Sequence, residues 1–230
     1  MKYALLSLLT IFFVDCKKNS VPITTSDTNT SSLTYLALGD SYTIGESVAE
    51  NQRWPVQLAA RLSSENFSFK APQIIAKTGW TTDELNKGID QAEPKGPYDL
   101  VSLSIGVNNQ FRGRSAQEFE SEFQALVNRA IGFAGNNKDR VLVLSIPDYG
   151  VTPFGANRNP VKIAKEIDDF NAIKKKICEQ EGIAYFDITA LSRKAANDNS
   201  LIASDGLHPS GKMYREWVDL IVADVKAKLK

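Results

Sequence analysis

Histidine is almost missing from this chain: His208 is the one instance among 230 residues. Histidine is the side chain whose ordinary pKa suits proton transfer near neutral pH, so a histidine base has a single candidate. Cysteine is nearly as scarce, with only Cys16 and Cys178. If Cys16 is modified or removed, Cys178 has no partner for an internal disulfide. With no second histidine to activate it, Cys178 reads as a buried structural thiol rather than a nucleophile. Excess charge of either sign is also missing, since 27 Lys and Arg balance 27 Asp and Glu. That balance gives no support to an electrostatic nucleic-acid partner. The apolar run at residues 3–14 is too short to cross a bilayer. A glycine-rich phosphate loop is missing after the first predicted strand, which argues against a nucleotide or flavin binder on a flavodoxin-like sheet. No internal repeat and no inter-domain linker is visible.

What remains is an ordinary globular composition, 43% hydrophobic and 23% charged, enough to bury a full core. Lys2 precedes the apolar run and Asp15-Cys16 follows it, the pattern of an export signal. A cysteine in that place resembles the lipobox of bacterial lipoproteins, which would make Cys16 a lipidated membrane tether. Asp15 departs from that pattern, where a small residue is usual. Residues 1–15 are therefore expected to be a signal peptide. Residues 16–32, rich in Ser, Thr, Asn and Asp, are expected to be a flexible tether. Residues 33–230 are expected to form one domain, in an exported, periplasmic, cell-surface or secreted protein.

Beyond residue 33, short apolar runs alternate with helical patterns. Strands are expected at residues 35–38, 71–76, 99–104, 141–145 and 184–186. Helices are expected at 54–62, 81–90, 115–133, 161–181, 189–196 and 213–229. In the third of these, Phe119, Phe123, Leu126, Val127 and Ala130 recur at helical spacing. The run at 141–145, dense in Val and Leu, suits a strand buried on both faces. Five strands separated by helices predict an α/β fold, a three-layer sandwich around a five-stranded parallel sheet.

The ends of these strands carry the chemistry. Strand one runs into Gly39-Asp40-Ser41, so Ser41 lies past the carboxyl end of a strand, where open α/β sheets place their ligands. Strand two is followed by Gly79, with an unobstructed N–H, and strand three by Gly106-Val107-Asn108, with a side-chain amide. A strand order of 2-1-3-4-5 would bring Gly79 and Asn108 to either side of Ser41. The Ser41 N–H, the Gly79 N–H and the Asn108 amide would then form an oxyanion hole. Asp205, three residues before His208, can orient the ring from the same turn. Asp40 is expected to hold its turn, and Asn109 to anchor its loop. Trp80 could line a pocket or simply pack. Arg112 and Arg114 are expected in a solvated loop, though a polar substrate could meet them. Residues 147–154 are expected to shape a pocket, and residues 157–160 to form an exposed loop.

In order and spacing, Gly39-Asp40-Ser41, Gly79, Gly106-Val107-Asn108 and Asp205-Gly206-Leu207-His208 resemble the four sequence blocks of the SGNH (GDSL-type) hydrolases. The resemblance implies that Ser41 is a nucleophile and that Asp205 and His208 complete a catalytic triad. It also implies that Ser41, Gly79 and Asn108 form the oxyanion hole. Asn109 departs from the family, where Asp is frequent. The implied activity is hydrolysis of an O-acyl ester, with no cofactor and no metal. The substrate could be a small carboxylic ester, an acetylated sugar or a lysophospholipid. The competing expectation is a non-catalytic surface binding protein that retains the fold.

Overall fold

The computed structural model describes residues 32–65 and 67–229; the expected signal peptide, Cys16 and most of the expected tether lie outside them. Five strands appear: β1 (Tyr35–Asp40), β2 (Gln73–Lys77), β3 (Leu100–Ser104), β4 (Val141–Leu144) and β5 (Ala184–Phe186). All pair in parallel, in the order β2-β1-β3-β4-β5. Register places Leu38 between Ile75 of β2 and Leu103 of β3. The helices are α1 (Ser41–Ile44), α2 (Trp54–Ser63), α3 (Thr82–Ala92), α4 (Val107–Phe111), α5 (Ala116–Phe133), α6 (Pro153–Ala156), α7 (Pro160–Glu181), α8 (Thr189–Ser192) and α9 (Gly211–Lys228).

The strand order explains the layers. From β1 the chain steps one way to β2, then returns past β1 to β3, β4 and β5. Because parallel crossovers are right-handed, this reversal puts the first crossover helix on the opposite face from the next three. Accordingly α2 packs on α9, whereas α5 packs on α3 and α7. The expected three-layer α/β/α sandwich is the observed fold. β1, β3 and β4 are buried along their whole length, as the unbroken apolar run of β4 requires, while β5 is a half-buried edge.

Three short helices were not expected from periodicity. α1, α4 and α6 span only four or five residues each, too few for an apolar period to register. Each follows a strand end. The structure also starts α9 at Gly211, capped by the Ser210 hydroxyl, which accepts from the Met213 N–H at 3.3 Å. The expected helix at 189–196 divides into α8 and a 3-10 turn at Arg193–Ala196.

The tightest point lies where β1 meets α1. A Cβ on Gly39 would fall 2.1 Å from Thr43 Oγ1 and 2.4 Å from the Ser104 carbonyl oxygen. The first turn of α1 and the end of β3 therefore both press on the β1 backbone. Gly39→Ala is expected to cost about 1–3 kcal/mol or more by overpacking. Urea unfolding of the purified variant checks this; a midpoint equal to wild type would contradict the close approach.

Candidate active site

Every expected site segment lies at the carboxyl edge of the sheet. Ser41 is the first residue of α1, directly after β1, and is 4% exposed. Asp40 accepts a hydrogen bond from the Tyr42 N–H at 3.0 Å and so caps α1. Its role is structural, as expected, and burial raises its carboxyl pKa. The same cap fixes the first turn, and with it the position of Ser41.

His208 sits on the loop before α9. Its Nδ1 lies 2.6 Å from Asp205 Oδ2, and the other carboxylate oxygen accepts from the Leu207 and His208 N–H groups at 2.9 Å each. Ser47 Oγ donates to Asp205 Oδ2 at 2.7 Å. A carboxylate at Nδ1 assigns the proton to that nitrogen and leaves Nε2 as the acceptor. Partial burial works against the Asp205 charge. The bonds from the His208 ring, the two amides and the Ser47 hydroxyl outweigh it and lower its pKa to about 2. The His208 ring packs against Tyr42, with centroids 5.1 Å apart. It does not cap α9; Ser210 does.

Ser41, Asn108 and His208 line one cavity of about 80 Å³, together with Val107, Phe111, Tyr149, Phe154 and Leu207. Ser41 and His208 thus face the same space, although no hydrogen bond joins their side chains among the described residues. Such contacts tighten in many enzymes only when substrate arrives. Asn108 donates from Nδ2 to the Trp80 carbonyl at 3.0 Å. An amide nitrogen carries two N–H bonds, so one remains for a ligand. Gly79 adopts φ +84° and is not among the cavity-lining residues. It reaches the site through the next residue, whose carbonyl holds Asn108.

Sequence reasoning missed what steadies this edge. Arg112 is solvent-exposed, as expected, and does not line the cavity, but it is tied to the β2 turn. Its Nη2 donates to the Gly79 carbonyl at 2.5 Å and its Nη1 to Glu84 Oε1 at 3.1 Å. A donor separated from its acceptor by 33 residues leaves no local signal. Arg114 pairs with Glu118 at 2.6 Å, a spacing of four that was readable in a helix start. Asn109 anchors its loop as expected, accepting from the Thr82 N–H at 3.1 Å and donating to the Thr82 hydroxyl at 2.6 Å. Trp80 packs on α3, where a Cβ on Gly88 would meet its ring at 2.1 Å. Cys178 is buried and unpaired, and burial pushes its thiol up to about 12, so it is inert.

The sequence pattern of the GDSL-like lipase/acylhydrolase family matches residues 37–216, more than half of the chain. The chain belongs to that family. Membership makes it a carboxylic ester hydrolase. Among solved structures, the GDSL-like fold recurs in a lipase/acylhydrolase from Enterococcus faecalis, at a TM-score of 0.65 and 19% identity, covering 86% of this chain and 97% of that one. The psychrotrophic esterase EstA from Pseudoalteromonas sp. aligns at 0.62 and 19% identity, over 86% and 99%. The acetylxylan esterase Axe2 from Geobacillus stearothermophilus aligns at 0.62 and 17% identity, over 84% and 94%. At these identities the likeness is one of fold. No curated protein sequence matches the chain.

The Asp205 pKa has a sign that can be tested. Its folded-state value lies below the ordinary carboxyl value near 3.9, so pairing adds stability that is present above that range. The stability is lost as pH falls toward about 2. Asp205→Asn removes the titration. Its unfolding free energy should therefore fall less steeply between pH 4 and pH 2 than wild type, measured by urea unfolding at fixed pH. Parallel slopes would contradict the assignment.

Proposed function

We propose that this GDSL-like enzyme is a serine esterase that works through a covalent acyl-enzyme. The observation that carries the reading is the 2.6 Å bond between His208 Nδ1 and Asp205, made by a histidine that shares its cavity with Ser41. Ser41 Oγ attacks the ester carbonyl while His208 Nε2 takes its proton. Asp205 stays ionised and holds the imidazolium in place. The carbonyl oxygen gains charge beside the free N–H of Asn108 and the backbone N–H of Ser41, with Gly79 acting through the Trp80 carbonyl that holds Asn108. The bond to the alcohol oxygen then breaks, and His208 returns the proton to the departing alcohol. Water, deprotonated by the same imidazole, attacks the acyl-enzyme and releases the acid and Ser41.

Geometry favours catalysis over a retained binding fold, because the Asp205–His208 pair is intact and the cavity reaches Ser41. The test is a burst assay with p-nitrophenyl acetate. Wild type should release p-nitrophenol in a burst followed by turnover. Ser41→Ala and His208→Ala should each lose at least about a thousandfold in kcat while keeping the wild-type circular dichroism spectrum. Turnover in either variant within a few-fold of wild type would refute the triad.

Export forms a second part of the proposal. It is supported by Lys2, the apolar residues 3–14 and Cys16. In a bacterial host, wild type should incorporate labelled palmitate and Cys16→Ser should not. Equal labelling of the two would exclude Cys16 as the anchor.

A further inference from the structure

The cavity that Ser41 lines is also lined by three rings. Phe111 comes from the end of α4, Tyr149 from the turn after β4, and Phe154 from α6. Their centroids form a nearly equal triangle, 6.1 Å from Phe111 to Tyr149, 6.1 Å from Phe111 to Phe154 and 6.2 Å from Tyr149 to Phe154. Aromatic rings at this spacing attract one another beyond the area they bury.

Backbone contacts keep the triangle closed. The Phe154 N–H donates to the Gly206 carbonyl at 3.0 Å. The Phe154 carbonyl accepts from Arg158 Nη1 at 2.6 Å. The Arg158 guanidinium carbon lies 3.8 Å from the Phe154 ring centroid and 5.8 Å from that of Phe111, which clamps both rings from outside. Gly155 lets α6 press on the preceding turn, since a Cβ there would stand 2.1 Å from the Tyr149 carbonyl oxygen. Behind the segment, Asp148 is buried and bonded to Arg193 Nε at 2.9 Å, while its N–H donates to Ser192 Oγ at 2.8 Å. The wall is held at both ends and cannot retreat without breaking several of these bonds.

Resting on the serine esterase reading, we propose that this enzyme selects esters of short acyl groups and that the Phe111–Tyr149–Phe154 wall sets the limit. The acyl group stays on Ser41 with its oxygen toward Asn108, so its hydrocarbon enters the cavity those two residues share. The alcohol must leave past His208. The cavity is small, about 80 Å³, and suits a short acyl chain rather than a long one. A longer chain meets the three rings that line it.

The experiment compares kcat/KM on p-nitrophenyl esters from acetate to decanoate for wild type, Phe154→Ala and Phe111→Ala. Phe111 is 49% exposed, so its truncation disturbs the core least. Ser41→Ala serves as the blank. Wild type should prefer butyrate to octanoate by about tenfold or more, the scale at which a pocket rejects excess methylenes. At least one alanine variant should cut that ratio about tenfold by gaining on octanoate. Wild type that cleaves octanoate or decanoate as well as butyrate would overturn the inference and leave the esterase reading standing. Two folded variants with the wild-type ratio would do the same. Hydrolysis equal in wild type and Ser41→Ala would overturn both.

Discussion

The contact on which the site depends is the pressing of Thr43 and the Ser104 carbonyl against Gly39. β1 lies between β2 and β3, so its carboxyl end is flanked by two other strand ends. A helix that begins immediately after β1 must fold back over this crowded edge. With no Cβ at Gly39, the first turn of α1 can sit directly on the end of β3. Asp40 then caps that turn and Ser41 emerges at its start. Given that one placement, the neighbouring turns deliver their residues without further adjustment. The β2 turn brings Trp80, whose carbonyl holds Asn108 from the β3 turn.

Beneath the edge lies an unusual polar tie. Lys174, on α7, is fully buried and donates to the carbonyls of Ile105 at 2.9 Å and Leu144 at 2.7 Å. These carbonyls follow β3 and end β4, so one ammonium joins the two strands that carry Asn108 and the ring wall. Burial lowers the Lys174 pKa, and the Asp40 carboxylate opposes that shift. An isolated buried ammonium would be costly. Two carbonyls, the Phe123 ring at 5.3 Å and the nearby Asp40 offset that cost. α7 thereby holds the edge of the sheet from below, while Arg112 holds it from the solvent side.

The sequence made the sheet and the histidine legible for definite reasons. Strands dense in Val and Leu, such as residues 141–144, have no exposed face and read as continuous apolar runs. Asp205 and His208 are three residues apart on one turn, so their pairing needed no tertiary knowledge. A strand order of 2-1-3-4-5 was expected to flank Ser41 with the turns that carry Gly79 and Asn108, and the structure has that order. What escaped were contacts without local signature. Arg112 reaching Gly79, Lys174 reaching two strand ends and Arg158 clamping Phe154 each join residues through space or through a turn too short to show a period. The three short helices escaped for the same reason.

A further contact without local signature joins the cavity wall to the histidine loop. The Phe154 N–H bonds to the Gly206 carbonyl, and Gly206 lies between Asp205 and His208. The wall that limits the cavity is thus bonded to the loop that presents the imidazole. That loop is fixed in turn by the Ala203 N–H donating to the His208 carbonyl at 2.7 Å and by Ser47 donating to Asp205. A displacement of α6 would strain the histidine loop, and a displacement of the loop would tilt the wall. Catalytic geometry tolerates errors of only a fraction of an ångström. The bond from the Phe154 N–H to the Gly206 carbonyl therefore ties the ring wall of the cavity to the turn that carries Asp205 and His208.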